Sequence, residues 1–346
     1  MISDGILVLN KPQNWTSHDC VAICRRVLRL KGVKKIGHGG TLDPMAEGVL
    51  PIFIGQATLI MEYLELDYKK YTCEMQLGVT TDTQDIWGRE LSRHSFDGLS
   101  EQQVLGELEN QQGVIEQMPP VYSAVRIDGK HLYEYAHKGM EDEAVLERVK
   151  PRRVYIASMD VHDIDLQRGR VRFSVECSKG TYIRTICSDL GQRLGCGAAM
   201  TALTRTAIGE IDLSRSVSPE EIKGMDRLDS GDAPEAVLNL EDLLLPTDAP
   251  LRYFGELTMP ADRAHYFRQG NSIRLRQVHK RQEPRITADP LTGEIPCNAR
   301  GRRYDRIYRV YQQENGMFLG TGYEDREQGV LKADKVFTAL NQPKKK

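Results

Sequence analysis

One carboxylate stands out by its surroundings. Asp43 lies in Gly37-His38-Gly39-Gly40-Thr41-Leu42-Asp43-Pro44-Met45-Ala46-Glu47-Gly48-Val49-Leu50, a glycine-rich loop that runs into the apolar stretch Val49-Leu50-Pro51-Ile52-Phe53-Ile54. Glycines reach backbone angles that other residues resist and let a second molecule approach the main chain. Pro44 biases Asp43 away from helix toward an extended or turn shape. The product is a carboxylate held at a loop tip beside a buried strand, placed to act as acid, base or nucleophile. By pattern alone, the commoner role for such an Asp-Pro is an Asx-turn that closes on its own backbone. Glycine loops also cradle phosphates, but the Walker spacing with its Gly-Lys-Ser/Thr ending is absent, as is the Rossmann spacing.

Two further side chains could serve such a carboxylate. Arg184 follows Gly180, which marks a switch from strand to helix, and Thr181, which can cap a helix running to about Leu194. Arg184 then sits in the first turn and points back toward the strand ends; a surface charge is the plainer reading. Tyr71 lies on Lys70–Val79, whose alternation puts Tyr71, Cys73, Met75 and Leu77 on one face. An aromatic there is ordinarily core.

These residues sit in motifs that resemble the TruB family of tRNA pseudouridine synthases. The family's aspartate loop reads Gly-His-x-Gly-x-Leu-Asp-Pro-x-Ala-x-Gly-x-Leu, which Gly37–Leu50 follows closely. Ser178-Lys179-Gly180-Thr181-Tyr182-Ile183-Arg184 matches the family's arginine motif. Lys70-Tyr71, Leu77-Gly78 and Thr81-Asp82-Thr83 with Asp85 match its tyrosine motif. Pro119-Pro120-Val121-Tyr122-Ser123-Ala124 and Gly129-Lys130-His131-Leu132-Tyr133-Glu134-Tyr135-Ala136 match another hallmark. Lys11-Pro12 and Leu203-Thr204-Arg205-Thr206 match more loosely. The resemblance spans nearly all of residues 5 to 212. It implies that Asp43 is the essential aspartate, that Arg184 pairs with it and that Tyr71 stacks on the target base. It further implies that Leu203 covers the other face of that base and that His38 helps hold the flipped-out RNA loop open. Lys11, Lys179 and Tyr182 fall on the substrate side.

The implied reaction isomerises a uridine in the T-loop of tRNA, position 55 by the resemblance, to pseudouridine. The uracil N1–C1′ bond breaks, the base turns, and C5 rejoins C1′. Whether Asp43 attacks the sugar, attacks the base or removes a sugar proton stays open. Two rivals from other classes stand beside this. A nucleoside or glycoside hydrolase also works at an anomeric carbon but needs a second carboxylate, for which Asp82, Asp85 and Glu47 are available. A pure RNA-binding module needs neither Asp43 nor Arg184.

The rest of the chain agrees with an enzyme that needs no cofactor. No nucleotide fingerprint or His-Glu-x-x-His pattern occurs, and the cysteines Cys20, Cys24, Cys73, Cys177, Cys187, Cys196 and Cys297 form no Cys-x-x-Cys pair. Their odd count argues for buried reduced thiols. A formal net charge of -2 over 346 residues gives no global nucleic-acid signature. RNA contact must therefore come from patches, such as Arg25, Arg26, Arg29, Lys31, Lys34 and Lys35 just before the aspartate loop. No apolar run approaches the roughly 20 residues of a membrane span. The first residues lack a signal-peptide pattern, so a cytoplasmic protein is expected. No protein partner is expected, and the protein should be monomeric.

The elements that must position these groups read as an α+β fold around a mostly antiparallel sheet, the pseudouridine synthase fold by resemblance. Gly5–Asn10 reads as a buried strand, followed by a helix capped by Thr16 or Ser17. Ala57 to Leu66 reads as a short helix, and Ser100-x-x-Gln103 as a capping box. Asp128-Gly129 is a hairpin turn. Arg153–Ile164 and Val171–Cys177 form an antiparallel pair. A strand covers about Ala207 to Ile211, and Ser218-Pro219 opens a helix. Residues 1–245 make the catalytic domain. Residues 246–340 make a small β domain, PUA-like by resemblance, with strands at Ile307–Tyr311 and Phe318–Tyr323 and a third over Val330–Lys332 and Val336–Phe337. Residues 279–303 are polar and read as a flexible insertion, and 341–346 as a basic tail.

Overall fold

The computed structural model describes residues 4–29, 33, 35–136, 148–226 and 240–337. In chain order it begins with β1 (Gly5–Lys11), α1 (Ser17–Arg29), β2 (Ile36–His38), β3 (Glu47–Ile54) and a 3-10 helix at Gly55–Leu66. There follow β4 (Lys69–Leu77), β5 (Val79–Thr81), β6 (Glu90–Arg93), α2 (Glu101–Glu109), β7 (Gly113–Gln117), β8 (Arg126–Ile127), β9 (Lys130–His131) and α3 (Leu132–Ala136). Next are β10 (Arg152–Asp165), β11 (Arg170–Cys177), α4 (Ile183–Arg193), β12 (Ala198–Ile208), β13 (Ile211–Asp212), α5 (Pro219–Asp226) and α6 (Leu240–Leu243). The chain closes with β14 (Gly255–Met259), α7 (Ala261–Arg268), β15 (Ile273–Arg274), β16 (His279–Gln282), β17 (Ile307–Gln312), β18 (Phe318–Asp325) and β19 (Val330–Val336). Contacts divide it into two compact units: Met1–Pro44 with Gly48–Glu65 and Gly209–Lys346, and Met45–Glu47 with Leu66–Ile208.

In the first unit β1 runs antiparallel to β3, from Gly5 opposite Ile54 to Lys11 opposite Gly48. Ile6, Leu7, Val8 and Leu9 are all buried. The strand is therefore a continuous apolar run without alternation. The α1 helix lays Cys20, Val21, Cys24, Val27 and Leu28 on Leu7, Leu9, Leu50, Ile52 and Ile54. Each large apolar side chain buried this way contributes roughly 1.5–3 kcal/mol. Thr16 and Asp19 cap α1 reciprocally: the Thr16 N–H donates to Asp19 (2.8 Å) and the Asp19 N–H to the Thr16 hydroxyl (3.1 Å).

The C-terminal strands of this unit form a sheet in the order β15-β19-β18-β17-β14-β16. Only β14 and β17 in it run parallel. Its own core gathers Leu257, Met259, Phe267, Tyr308, Val310, Leu319 and Leu331. A Cβ at Gly320 would lie 1.9 Å from the Lys335 carbonyl oxygen, so only glycine lets β18 and β19 approach there. Contacts nevertheless group this sheet with the N-terminal strands. The reason is aromatic: Tyr63 of the 3-10 helix meets Phe254 edge-on, centroids 4.9 Å apart, and its hydroxyl bonds Thr321 (3.1 Å) and Asp334.

In the second unit five strands lie in the order β12-β4-β11-β10-β7. Every neighbouring pair is antiparallel. The Ser100–Gln103 capping box opens α2, as its sequence predicts. Asp128 (φ 53°) and Gly129 (φ 80°) turn the β8–β9 hairpin with left-handed angles, as Asp-Gly prefers.

Several expectations need revision. The strand expected at Ala207–Ile211 begins at Ala198. Its alanines and threonines carry too little hydrophobic contrast to show alternation. The α4 N-cap is Tyr182, without a side-chain cap bond, and Thr181 instead donates to the Ser178 carbonyl. The 279–303 segment starts as a strand, β16, paired antiparallel with β14. Near its end Arg302 reaches Asp334 at 2.6 Å, with the Asp334 side chain 1% exposed. Of the cysteines, Cys297 is exposed and the other six are buried. Lys31, Lys34 and the 341–346 tail lie outside the described residues.

Candidate active-site residues

The Asp43 loop is fixed by the elements that flank it. β1 ends on Lys11, whose side chain turns inward and is 0% exposed. Its ammonium donates to the carbonyls of Pro12 (2.9 Å) and Pro44 (3.0 Å). Burying an ammonium is costly unless it is hydrogen-bonded, and these bonds tie the loop backbone just after Asp43. The Ser17 hydroxyl, buried at the start of α1, accepts from the Leu42 N–H (2.9 Å) and donates to the Leu42 carbonyl (3.3 Å). The main chain is thus held immediately before and after Asp43, which is half-buried. Upstream, the Gly39 N–H donates to the Pro51 carbonyl at 2.8 Å. A Cβ on Gly39 would lie 2.7 Å from both Leu64 and Phe53. His38 closes β2, opposite Ile52 of β3.

Lys11, expected on the substrate side, is buried with its ammonium bonded to the loop backbone. A lysine beside Pro12 signals a turn, and sequence carries no mark of which way the side chain folds. Ser17 was expected only as a possible cap. Thr16 takes that role and Ser17 turns to the loop.

The second unit assembles the other expected residues. The β4–β12 register sets Tyr71 opposite Arg205 and Cys73 opposite Leu203. Tyr71 and Leu203 are each 8% exposed. The face they share is covered by α4, since the Cys73 and Cys187 sulfurs lie 3.5 Å apart. Burial raises the Cys73 thiol well above its ordinary range.

Arg184, second residue of α4, is 6% exposed. One guanidinium nitrogen donates to the Tyr122 carbonyl at 2.6 Å, and the group lies 5.9 Å from the Tyr182 ring centroid. It is therefore not the surface charge that a lone arginine ordinarily is. Gln117 fixes the entry to α4: its amide donates to the Tyr182 carbonyl (3.0 Å) and accepts from the Tyr182 N–H (2.7 Å). Lys179 stands exposed in the preceding turn, where Gly180 has φ 81°. The sequence reading singled out neither Gln117, which bonds the Tyr182 backbone, nor Arg205, which is buried opposite Tyr71. Alternation from Leu203 would have put Arg205 on the Tyr71 side.

Two carboxylates that a hydrolase could recruit are engaged in a turn. Asp82 accepts from the Arg89 N–H (2.8 Å), and Asp85 from the Thr83 hydroxyl (2.7 Å) and the Trp87 N–H (3.2 Å). Among the described residues no group of three or more His, Cys, Asp and Glu could hold a metal ion, and no helix is long and apolar enough to cross a membrane.

The fold is that of a pseudouridine synthase with a small C-terminal PUA-like β domain. The structure of a Cbf5-Nop10-Gar1 complex contains a chain that superposes with a TM-score of 0.68 at 20% identity, covering 96% of this chain and 85% of that one. An H/ACA RNP bound to a substrate RNA containing 2'-deoxyuridine gives 0.67 at 19% identity over 96% and 85%. Sequence then narrows the class. A family model described as TruB family pseudouridylate synthase (N terminal domain) matches residues 25–183, and one described as tRNA pseudouridylate synthase B C-terminal domain matches 184–252. The chain belongs to the TruB family of pseudouridylate synthases. Relatives named tRNA pseudouridine synthase B include that of Alkaliphilus oremlandii, 40% identical over 78% of this chain and 83% of its own length. That of Clostridioides difficile is 35% identical over 96% and 99%, and that of Escherichia coli K12 35% over 94% and 92%.

Proposed function

We propose that this protein converts one uridine of tRNA to pseudouridine, and that the uridine is position 55 of the T-loop. The observation that carries this is family membership over nearly the whole chain together with an intact aspartate loop whose backbone is pinned on both sides of Asp43. In the reaction C1′–N1 breaks, C5–C1′ forms, N1 gains a proton and C5 loses one. No redox change or group donor is required, so the enzyme needs no cofactor.

Asp43 acts beside the target sugar. Pairing with Arg184 is taken from the resemblance; a planar guanidinium favours and orients a carboxylate. That Arg184 is buried and already bonded to a carbonyl supports a role at the chemistry over one at an RNA phosphate. Tyr71 stacks on the flipped uracil and Leu203 covers its other face. His38 holds the opened RNA loop, with Lys179 and Tyr182 on the substrate side. Lys11 serves the substrate through the loop it anchors. The basic segment around Arg25 and Arg26 and the 246–340 domain read the folded RNA by shape. The enzyme works as a monomer in the cytoplasm, without a protein partner.

The test uses a tRNA transcript carrying tritium at uridine C5. One equivalent of tritium should reach water per tRNA, with pseudouridine at a single T-loop position and no free uracil. Released uracil would mark a hydrolase. Tight binding without tritium release would mark a binding module.

A further inference from the structure

We propose that Arg205 is a positioning residue for isomerisation, acting through the hydroxyl of Tyr71. The inference rests on Tyr71 being the residue that meets the target base. Four observations on the second unit carry it.

Arg205 stands directly opposite Tyr71 in the β4–β12 ladder. Its side chain is among the largest of the fully buried ones, at 0% exposure. The Arg205 side chain hydrogen-bonds the Tyr71 hydroxyl. The ladder slips its register immediately beyond, between Arg205 and Ala207. Such bulges re-aim side chains and are common beside active sites.

A buried guanidinium is an expensive way to fill space. Packing alone would be served as well by Leu or Met, and replacing buried charges with apolar residues is often neutral or stabilising. What Arg adds is direction. It has only donors, so in its bond to Tyr71 the phenolic oxygen must accept. The Tyr71 proton is then turned away from Arg205. The bond fixes both the ring and its hydroxyl, on the face where Leu203 lies and which α4, the helix of Arg184, covers. The positioned phenol is thereby presented to the base as a single conformer.

The experiment compares Arg205→Met and Arg205→Lys, each with Tyr71 intact and in a Tyr71→Phe background. Single-turnover rates at saturating enzyme and tRNA dissociation constants are measured on all. Arg205→Met should slow the catalytic step about 30-fold, the worth of one charge-assisted hydrogen bond, with tRNA affinity within about 3-fold. Arg205→Lys should be intermediate, since it keeps the charge and loses the planar fork. In the Tyr71→Phe background the same changes should cost no more than about 2-fold, because the atom they act through is gone.

Equal losses in both backgrounds would overturn the inference and reduce Arg205 to scaffold. So would an unchanged rate, or a defect confined to affinity. Should Arg205→Met fail to fold, Arg205→Lys alone completes the cycle. Should Tyr71→Phe be too slow to time, urea midpoints of the same proteins replace the rates: non-additive shifts support the coupling and additive shifts overturn it. A Tyr71→Phe enzyme of full rate is a different result. It would remove the hydroxyl from the proposed chemistry, whereas a slow Phe enzyme with additive losses would defeat only the Arg205 inference.

Discussion

Asp43→Asn nearly preserves the loop's shape and removes its charge. Turnover should fall by about 1,000-fold or more while tRNA affinity stays within about 3-fold, measured by single-turnover tritium release and by filter binding. Arg184 gives a second test at this scale. Arg184→Lys keeps a charge but loses the planar fork. The rate should drop about 100-fold for Lys and further for Ala, because the loss falls on the catalytic step. If Arg184 only met phosphate, Lys would keep the rate and affinity would carry the defect. Asp43 and Arg184 are proposed because their neighbours in sequence form specific motifs. The neighbours in space were not legible there: Lys11, Ser17 and Gln117 act through backbone bonds to residues 25 to 65 positions away.

At the scale of elements, the aspartate loop depends on the close approach of Gly39 to Phe53 and Leu64. Gly39→Ala should lower stability by about 1–3 kcal/mol, the usual cost of overpacking. A urea midpoint shift with unchanged slope would show it, and an unshifted midpoint would mean that Leu64 and Phe53 give way freely. The two capping boxes were legible because each partner is near in sequence, whereas the expected Thr181 cap was not formed. The Ser100–Gln103 and Ser218–Glu221 boxes both close across three residues, the Ser218 N–H donating to Glu221 at 2.7 Å. The missed elements include β6, β7, β14, α7, β16 and the first half of β12. Segments such as Ala198-Ala199-Met200-Thr201 become strand only because β4 supplies the adjacent ladder, which is tertiary override of weak propensity.

Two predictions concern the molecule as a whole. Asp334 is held by Arg302, Tyr63 and Asn298, groups far apart in sequence. Arg302→Ala should destabilise the fold by about 3 kcal/mol, at the low end for breaking a buried pair, since two other donors remain. A thermal midpoint within a degree of the parent would refute it. Thiols supply the second. Burial pushes Cys20 and Cys177 up to about 11 and Cys24 to about 12. In the folded state these thiols stay protonated, while in the unfolded chain they ionise near the ordinary thiol value. Their contribution to stability is therefore complete below that value and is lost as pH rises toward 11–12. At pH 8 a disulfide reagent should titrate one thiol quickly, Cys297, and the remaining six only on unfolding; Cys297→Ser should abolish the fast phase.

What the sequence determined by itself is local and compositional. Pro44 after Asp43, glycines at 39 and 40, and the run Ser178–Arg184 specify a loop, a helix start and a family, because each acts on the backbone beside it. Apolar runs such as Ile6–Leu9 and the alternation of Tyr71, Cys73 and Met75 specified which faces are buried. Tertiary structure alone decided where the polar groups on those faces find partners. Lys11 turned inward because the Pro44 carbonyl was there to receive its charge. Residues 279–303 became an edge strand and an anchor because β14 offered an open edge and Asp334 a buried carboxylate. Arg205 met Tyr71 through a ladder register that is set by pairing between strands more than a hundred residues apart, and a period-2 pattern does not encode which residue stands opposite which.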